Sequence, residues 1–195
     1  MKKFLLLRSV FPLFLFFLCF PLNTSAQGLG NPNNNYSYCP NSSSYYNCGF
    51  GLVHAGGMCV HPLGGATIPA NGTRLILFPS CNTSSESRLR FRILSNGSLY
   101  HISSSKCVHP EGGSENPAAG TRLVFWSSCT DGPVSNANGN KRLAFEFTSG
   151  GSIRHKNSGL CVQPSGGSSN PAAETQLVLG GVCDGYAQKF TQLPY

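Results

Sequence analysis

A seven-residue phrase is written three times along the chain, as CVHPLGG (59–65), CVHPEGG (107–113) and CVQPSGG (161–167). Its residue types suit a site that holds a polar, uncharged ligand through hydrogen bonds. A neutral imidazole donates one hydrogen bond and accepts another, and the glutamine of the third copy keeps both capacities. Adjacent glycines let the backbone approach a ligand, and the preceding proline stiffens the turn. The phrase therefore predicts three related binding sites.

The same phrase also has a purely structural interpretation, because proline and glycine occur together in turns that connect strands. Three other histidines, His54, His101 and His155, fall within the first predicted strand of each copy, and we expect them to be structural. Trp126 is an aromatic candidate, either for stacking on a ligand ring or for covering one end of the fold. Its equivalents are Phe78 and Gly180, so stacking would differ between the copies.

The phrase belongs to a longer repeated unit that includes a pair of cysteines. The pairs stand at 59/81, 107/129 and 161/183, each separated by 22 residues, and the copies step by 48 and then 54 residues. The extra length matches a polar stretch at 132–140, which we predict to be a surface loop. The copies cover about 50–95, 96–148 and 149–195. Three copies at such a period indicate a repeat architecture.

Each copy contains four short candidate strands and no helical periodicity. In the third copy these strands are 152–155, 160–163, 175–179 and 188–193. Twelve short strands in three copies indicate a closed all-β fold, and the three-fold repeat favours the β-trefoil over a small propeller or a sandwich. In that fold six strands form a barrel and six form hairpins that cap it. The predicted core consists of Leu75, Phe91, Leu99, Leu123, Phe145, Ile153, Leu177 and Phe190.

The chain begins with a basic and then apolar segment at 1–26, which we interpret as a secretory signal peptide cleaved before Gln27. An uncleaved anchor is the alternative for this segment, and no later segment is apolar enough to cross a membrane. Residues 27–49 are rich in Asn, Ser and Tyr and read as a flexible leader, with a role in adhesion as an alternative. We expect a secreted protein whose β-trefoil domain covers 50–195. N-glycosylation sequons begin at Asn35, Asn41, Asn71, Asn82 and Asn96.

The cysteine count agrees with secretion, because eight of the nine cysteines lie beyond the signal peptide, and Cys19 lies within it. Eight cysteines allow 105 connectivities, and the equal spacing within the copies singles out one of them. Structural zinc is the weaker explanation, since the chain has no CxxC pair. The predicted disulfides are Cys59–Cys81, Cys107–Cys129, Cys161–Cys183 and, in the leader, Cys39–Cys48.

The repeated residues resemble the mytilectin-type β-trefoil lectins, a galactose/N-acetylgalactosamine-binding branch with a ricin B-like fold. The resemblance rests on H-P-x-G-G, on the following S-x-N-P-A-x-x-T-x-L-V-L, and on a preceding strand that ends in I/L-x-H, and it covers about 50–195 in all three copies. It implies a carbohydrate-binding protein whose partners are glycans on glycoproteins or cell surfaces, without a cofactor. The intra-repeat cysteine pair also resembles that of ricin B-type domains.

The resemblance implies sugar contacts at the histidine and glycines of the phrase. The family also has an Asp-x-His pair just after the L-V-L strand, and this pair is absent from every copy here. Nearby oxygen-bearing residues could serve as acceptors instead, which leaves the sugar identity open. The candidate carbohydrate-binding residues are His61, Gly64, Gly65, Asn82, His109, Gly112, Gly113, Asp131, Gln163, Gly166, Gly167 and Asp184.

We therefore predict a multivalent lectin with up to three sites in one domain. The chain has only seven Asp and Glu residues, none in a repeated pair suited to glycoside hydrolysis, so no catalytic residue is predicted. The formal charge falls from +7 to +4 once Lys2, Lys3 and Arg8 are removed, and no basic run indicates nucleic-acid binding. The alternatives are a protein-binding β-trefoil, such as an inhibitor or ligand, and an adhesion protein without sugar binding.

Overall fold

The computed structural model describes residues 49–82, 85–129 and 141–194. The described part of the chain contains twelve short strands, four in each copy, joined by turns and short 3-10 helices. In chain order the strands are β1 (Phe50–His54), β2 (Cys59–Pro62), β3 (Leu75–Phe78), β4 (Phe91–Ile93), β5 (Leu99–His101), β6 (Lys106–Pro110), β7 (Leu123–Trp126), β8 (Phe145–Phe147), β9 (Ile153–His155), β10 (Cys161–Pro164), β11 (Leu177–Gly180) and β12 (Phe190–Pro194). The predicted strands of the third copy agree with these bounds to within a few residues.

The first and fourth strands of each copy form a closed six-stranded barrel. Antiparallel pairs join β4 to β5, β8 to β9 and β12 to β1, so each copy is tied to the next. Within the copies, β1 pairs with β4 through Phe50 and Phe91, and bridges Ser98–Ala144 and Ser152–Lys189 make the equivalent links. Closure leaves the barrel without a free strand edge. This arrangement is the predicted β-trefoil.

The second and third strands of each copy form a hairpin, and the three hairpins meet around the three-fold axis. Equivalent backbone hydrogen bonds join them in a ring, at 2.7–2.8 Å. They run from Gly72 N to Phe125 O, from Gly120 N to Leu179 O and from Glu174 N to Leu77 O. The repetition of the same contact shows that the sequence repeat is also a rotational repeat in space.

The core is built from strand positions that alternate with outward-facing ones, as expected for strands with one buried side. All eight residues predicted for the core are buried, none more than 3% exposed. The barrel interior leaves a cavity of about 10 Å³ among apolar side chains that include Leu52, Leu99 and Ile153. A cavity of that size holds at most one water molecule, so the barrel interior has no room for a larger ligand. In the described residues no helix is long and apolar enough to cross a membrane.

Each copy is closed by one disulfide, and the three predicted bonds Cys59–Cys81, Cys107–Cys129 and Cys161–Cys183 are confirmed. Each joins the start of the second strand to the segment just after the third, with Cα atoms 5.2–5.4 Å apart. The bond holds the outgoing chain against its own hairpin. The predictions for 1–48, including Cys39–Cys48 and the signal peptide, and the loop at 132–140 lie outside the described residues.

One position in the hairpin ring departs from the three-fold pattern in a way that should cost stability. Gly72 and Gly120 have φ values of 82° and 88°, and the equivalent Glu174 has a φ of 66°. A left-handed conformation costs a residue with a Cβ about 1–2 kcal/mol. We expect Glu174→Gly to raise the free energy of unfolding by about 0.5–1 kcal/mol, after the entropy that glycine adds to the unfolded chain is subtracted. Urea unfolding measures this difference, and Gly120→Ala is the matched control, expected to lower stability. A Glu174→Gly variant that is less stable than the unaltered protein would show that the left-handed conformation of Glu174 does not cost stability.

Candidate functional site

The repeated phrase lies on the outer face of each hairpin, at the end of its second strand. In the first copy Cys59 faces Phe78 across the hairpin and His61 faces Ile76. Because side chains alternate along a strand, these four side chains lie on the face opposite Val60, and only Val60 belongs to the barrel core cluster. The second copy places Cys107, His109, Val124 and Trp126 in the same register, and the third copy places Cys161, Gln163, Val178 and Gly180 there.

The glycine pair of the phrase is required by the backbone of the turn. Both glycines of every copy have positive φ: 77° and 70° at Gly64 and Gly65, and between 66° and 85° in the other copies. The amide N–H of the second glycine donates within the turn, from Gly113 to Pro110 O and from Gly167 to Pro164 O at 2.9 Å. The turn interpretation therefore explains the glycines without a ligand. In the second and third copies, the first glycine of the pair (Gly112 or Gly166) has an amide N–H that finds no acceptor among the described residues.

The first copy carries a connected polar cluster beside this turn, which we call site 1 (His61, Gly65, Ser80, Glu86 and Arg88). His61 Nε2 donates to Ser80 O at 2.6 Å, and Ser80 Oγ donates to Glu86 Oε1 at 2.9 Å. Arg88 binds Glu86 Oε2 through Nε and Nη2, at 3.0 and 2.8 Å, and donates from Nη1 to Gly65 O at 2.9 Å. The cluster links the end of β2 to the turn and to the segment before β4. It holds a carboxylate and a guanidinium rigidly at the surface.

The electrostatics of site 1 keep its imidazole neutral and its carboxylate charged. Burial lowers the pKa of His61 against the opposing effect of its hydrogen bond to Ser80, and the nearby Arg88 lowers it further. Partial burial raises the pKa of Glu86, but hydrogen bonds from Arg88 and Ser80 outweigh it and hold that pKa below its usual value. His61 is only 2% exposed, and since its Nε2 donates, Nδ1 carries the acceptor lone pair.

The second copy repeats the histidine contact of site 1 and again has an arginine beside the turn. In what we call site 2 (His109, Gly112, Gly113, Trp126 and Arg142), His109 Nε2 donates to Ser128 O at 2.5 Å. Arg142 Nη1 lies 4.0 Å from the position that a Cβ on Gly113 would occupy, so the guanidinium again stands by the turn. Trp126 is 45% exposed, which makes it an accessible aromatic surface next to this cluster and argues against a role in covering the barrel.

The third copy has a different arrangement, which we call site 3 (Gln163, Gly167, Gly180, Ala187 and Gln188). Gln188 Nε2 donates to Gln163 Oε1 at 2.5 Å. The Gln163 side chain lies over Gly180, where a Cβ would overlap it, and its Nε2 is near Gly167. Ala187 occupies the position of Arg88 and Arg142, so site 3 has neither an imidazole nor a guanidinium.

The structure places the remaining predicted acceptors at the edges of these clusters. Asn82 is exposed and its backbone oxygen accepts from Glu86 N at 3.0 Å, so it borders site 1. Asp184 is exposed just after Cys183, at the edge of site 3. Asp131 lies outside the described residues. Within the described ranges no group of three or more metal-ligating side chains comes together.

The histidines of the first strands have the structural role expected for them. His101 is fully buried, and its Nε2 donates to Arg88 O at 2.8 Å, while His155 does the same to Arg142 O at 3.0 Å. His54 Nε2 lies 3.0 Å from Ala187 O in the third such contact. Each accepting carbonyl belongs to the residue that lies beside the glycine turn, just before the fourth strand of a copy. These histidines therefore position the arginines of sites 1 and 2.

Burial of these rings predicts a loss of stability in mild acid. Desolvation lowers the pKa of His54, His61 and His101 below 6.5, whereas the unfolded chain titrates near that value. Below pH 6.5 the unfolded chain then binds more protons than the folded one. The contribution of these histidines to the free energy of unfolding is therefore fully present above that pH and is lost as the pH falls. We expect the unfolding temperature to drop between about pH 7 and pH 5.5, before most carboxylates titrate. An unfolding temperature that stays constant over this pH range in calorimetry would contradict the prediction that buried, neutral histidines make the fold sensitive to acid.

Sequence reasoning missed Glu86, Arg88 and Arg142. A signal was present, because R-L-x-F precedes or opens the fourth strand in the first two copies, as Arg88-Leu-Arg-Phe and Arg142-Leu-Ala-Phe. The third copy reads Ala187-Gln-Lys-Phe at the same place. The loss of arginine therefore accompanies the loss of histidine, and only the structure shows that the two positions meet beside one turn.

Comparison with solved structures supports the fold. An agglutinin from Abrus precatorius has a TM-score of 0.58 at 19% identity, over 80% of this chain and 51% of its own. The designed three-fold symmetric protein ThreeFoil has a TM-score of 0.57 at 16% identity, over 75% and 98%. The C-terminal half of an earthworm R-type lectin in complex with GalNAc has a TM-score of 0.55 at 14% identity, over 75% and 98%. Identities this low show a shared fold.

The comparison of sequences identifies the family. No curated protein is similar enough in sequence to serve as a relative. Two segments, residues 42–133 and 133–192, match the description of alpha-D-galactose-binding lectins of the MytiLec type, and together they span most of the chain. The repeated phrase, the three-fold barrel and this match agree, and the chain belongs to the MytiLec family of alpha-D-galactose-binding lectins.

Proposed function

We propose that the chain is a secreted, non-enzymatic lectin that binds galactose-type glycans on the outer faces of its hairpins. One observation carries the proposal: the Ser80, Glu86 and Arg88 side chains form a hydrogen-bonded cluster at the surface beside the turn, and His61 joins it through the backbone carbonyl of Ser80. The turn needs its glycines, but it does not need this cluster. Membership of a galactose-binding family and a GalNAc-bound structural neighbour support the choice of sugar.

The chemistry of site 1 suits a pyranose. A sugar ring presents neighbouring hydroxyls, each a donor and an acceptor, and one apolar face of C–H groups. The Glu86 carboxylate accepts hydroxyl hydrogens through charge-assisted bonds, and the Arg88 guanidinium only donates. Phe78 packs edge-on against His61 at 5.5 Å between ring centroids and provides an apolar border. At site 2 the exposed Trp126 offers a larger surface for the C–H face.

Several weak sites in one domain together give strong binding to a surface that carries many glycans. A single shallow site with a Kd of about 1 mM contributes only about −4 kcal/mol. When one domain engages two sugars on a dense glycan layer, the second contact is intramolecular, and avidity exceeds each affinity. We infer that the repeats serve this multivalent binding, with glycans on glycoproteins or cell surfaces as partners.

Secretion is part of the proposal, and it is supported by three disulfides that form in oxidising compartments. In a secreted chain the described sequons differ sharply in accessibility. Asn71 is exposed and its Nδ2 donates only to the exposed Ser127 Oγ, at 3.1 Å. Asn96 Nδ2 donates to Cys129 O at 2.8 Å, and Ser98, the last residue of that sequon, is fully buried.

We therefore expect an N-linked glycan on Asn71 and none on Asn96 when the chain passes through a eukaryotic secretory pathway. A glycan on the Asn96 nitrogen would break its bond to the backbone beside the Cys107–Cys129 disulfide. Mass spectrometry of peptides, with and without enzymatic deglycosylation, measures the occupancy of each site. Full occupancy of Asn96 in the folded protein would contradict this expectation, and Asn71→Gln is the control that assigns the glycan.

A glycan array tests the proposed function directly. The folded protein should bind glycans that end in galactose or N-acetylgalactosamine, and free galactose should compete. Binding to other sugars alone would overturn the galactose assignment. Absence of binding to every glycan, together with tight capture of a protein, would favour the protein-binding β-trefoil instead. Cleavage of an oligosaccharide during incubation would overturn the non-enzymatic assignment.

A further inference from the structure

The third copy departs from the first two at four positions that meet in one place. Gln163 replaces the histidine of the phrase, Ala187 replaces the arginine before the fourth strand, Gln188 replaces the leucine that follows that arginine, and Gly180 replaces the aromatic residue that ends the third strand. The backbone around them is unchanged: Gly166 and Gly167 have φ values of 82° and 67°, and the Cys161–Cys183 disulfide is present. The change is therefore confined to the chemistry of the site.

The replacements fit one another physically. The Gln163 side chain can lie over residue 180 only because that residue is glycine, since a Cβ there would overlap its Cδ, Oε1 and Nε2 atoms. In that position Gln163 Oε1 accepts from Gln188 Nε2 at 2.5 Å. Gln188 is in turn 5% exposed and lies over Gly185, where a Cβ would overlap its Oε1. Two glycines thus make room for an amide pair that closes the site from within.

A ligand at this site would have to compete with the protein's own hydrogen bond. Breaking the bond between Gln163 and Gln188 would leave a nearly buried amide without its partner, which is costly. The site also lacks the guanidinium of sites 1 and 2, because Ala187 stands at the position of Arg88 and Arg142. The first two copies show the opposite arrangement, with an arginine next to the glycine turn.

From this geometry we infer that the domain is bivalent: sites 1 and 2 bind sugar, and site 3 is closed by the Gln163–Gln188 pair over Gly180. Residues 163, 180, 187 and 188 together determine whether a copy binds. This inference rests on the proposed lectin function and narrows it from three sites to two. It also accounts for the glutamine in the third copy of the phrase, because its amide oxygen accepts from Gln188 Nε2.

A residue-resolved NMR titration of the ¹⁵N-labelled protein with N-acetylgalactosamine tests the inference. The amide signals of Gly64 and Gly112 should shift and saturate, and that of Gly166 should not move over the same concentrations. Bivalency would be overturned if the Gly166 signal shifted and saturated with a similar affinity. It would also be overturned if only one of the Gly64 and Gly112 signals shifted. No shift at any of the three in the folded protein would instead overturn the proposed lectin function.

A gain-of-function variant tests the role of the four positions. Gln163→His, Gly180→Phe, Ala187→Arg and Gln188→Leu, combined in one chain, give the third copy the side chains of the first at these positions. We expect the Gly166 signal of this variant to shift with N-acetylgalactosamine and saturate. A folded variant whose Gly166 signal stays unmoved would show that these residues do not determine binding. If the variant does not fold, the titration of the unaltered protein still decides whether the domain is bivalent.

Discussion

The double variant His61→Ala/His109→Ala should lose capture by galactose-bearing beads by a factor of about 100 or more. Each histidine donates to the carbonyl of a serine, Ser80 or Ser128, that follows the third strand. Removing the ring therefore removes an acceptor from the site and also releases the segment that leads toward the arginine. Because avidity requires two contacts at once, each single variant should lose the avidity gain, and the double variant should also lose the remaining contact.

Two controls separate a binding effect from a folding effect. Lys156→Ala changes an exposed residue in the turn after β9, outside all three sites, and should be captured like the unaltered protein. Circular dichroism and the unfolding temperature check that the double variant is folded. A folded double variant that is captured as well as the unaltered protein would contradict the assignment of sugar binding to sites 1 and 2. Each single variant should lose less, because one contact remains.

Reduction of the disulfides should unfold the domain or leave it barely stable. Each of the three bonds closes a segment with a sequence separation of 22 residues. In the chain-entropy description such a bond stabilises by about 3 kcal/mol, so three contribute about 9 kcal/mol. Total stabilities of domains are about 5–15 kcal/mol. Thermal unfolding with and without a reductant, followed by circular dichroism, measures the effect, and a thiol count confirms that reduction is complete.

Single disulfide variants provide the graded control for this prediction. The pair Cys161→Ala/Cys183→Ala should lower stability by about one third of the full effect, since the three bonds close segments of equal length. An unfolding temperature that is unchanged after complete reduction would show that the barrel core alone holds the fold.

The fold could be predicted from the sequence because its information is repeated. Phe91, Phe145 and Phe190 recur at equivalent positions, and a residue that recurs three times with the same neighbours indicates a position in space as well as in sequence. The equal spacing of the cysteines fixed their pairing in the same way. The left-handed conformation of Glu174 could not be predicted from the repeat, because that conformation follows from the hairpin ring and not from the residue type.

The site could be predicted only in part, because its members come from distant segments. The phrase that contains His61 and Gly65 is local and visible in sequence, but Arg88 lies 23 residues beyond the glycine whose carbonyl it binds. Glu86 joins the cluster through Arg88 and Ser80, and nothing in its neighbourhood marks it. The pairing of Gln163 with Gln188 spans 25 residues and requires a glycine on another strand. Such dependence between residues appears only when the chain is folded.

A crystal structure of the protein with N-acetylgalactosamine tests the central claim most directly. The account predicts one sugar beside the turn at Gly64 and Gly65, within hydrogen-bonding distance of Glu86 or Arg88, and a second beside Gly112 and Trp126. It predicts no sugar over Gly180. Sugars bound on any other surface, with both turns empty, would contradict the assignment of carbohydrate binding to the outer faces of the hairpins.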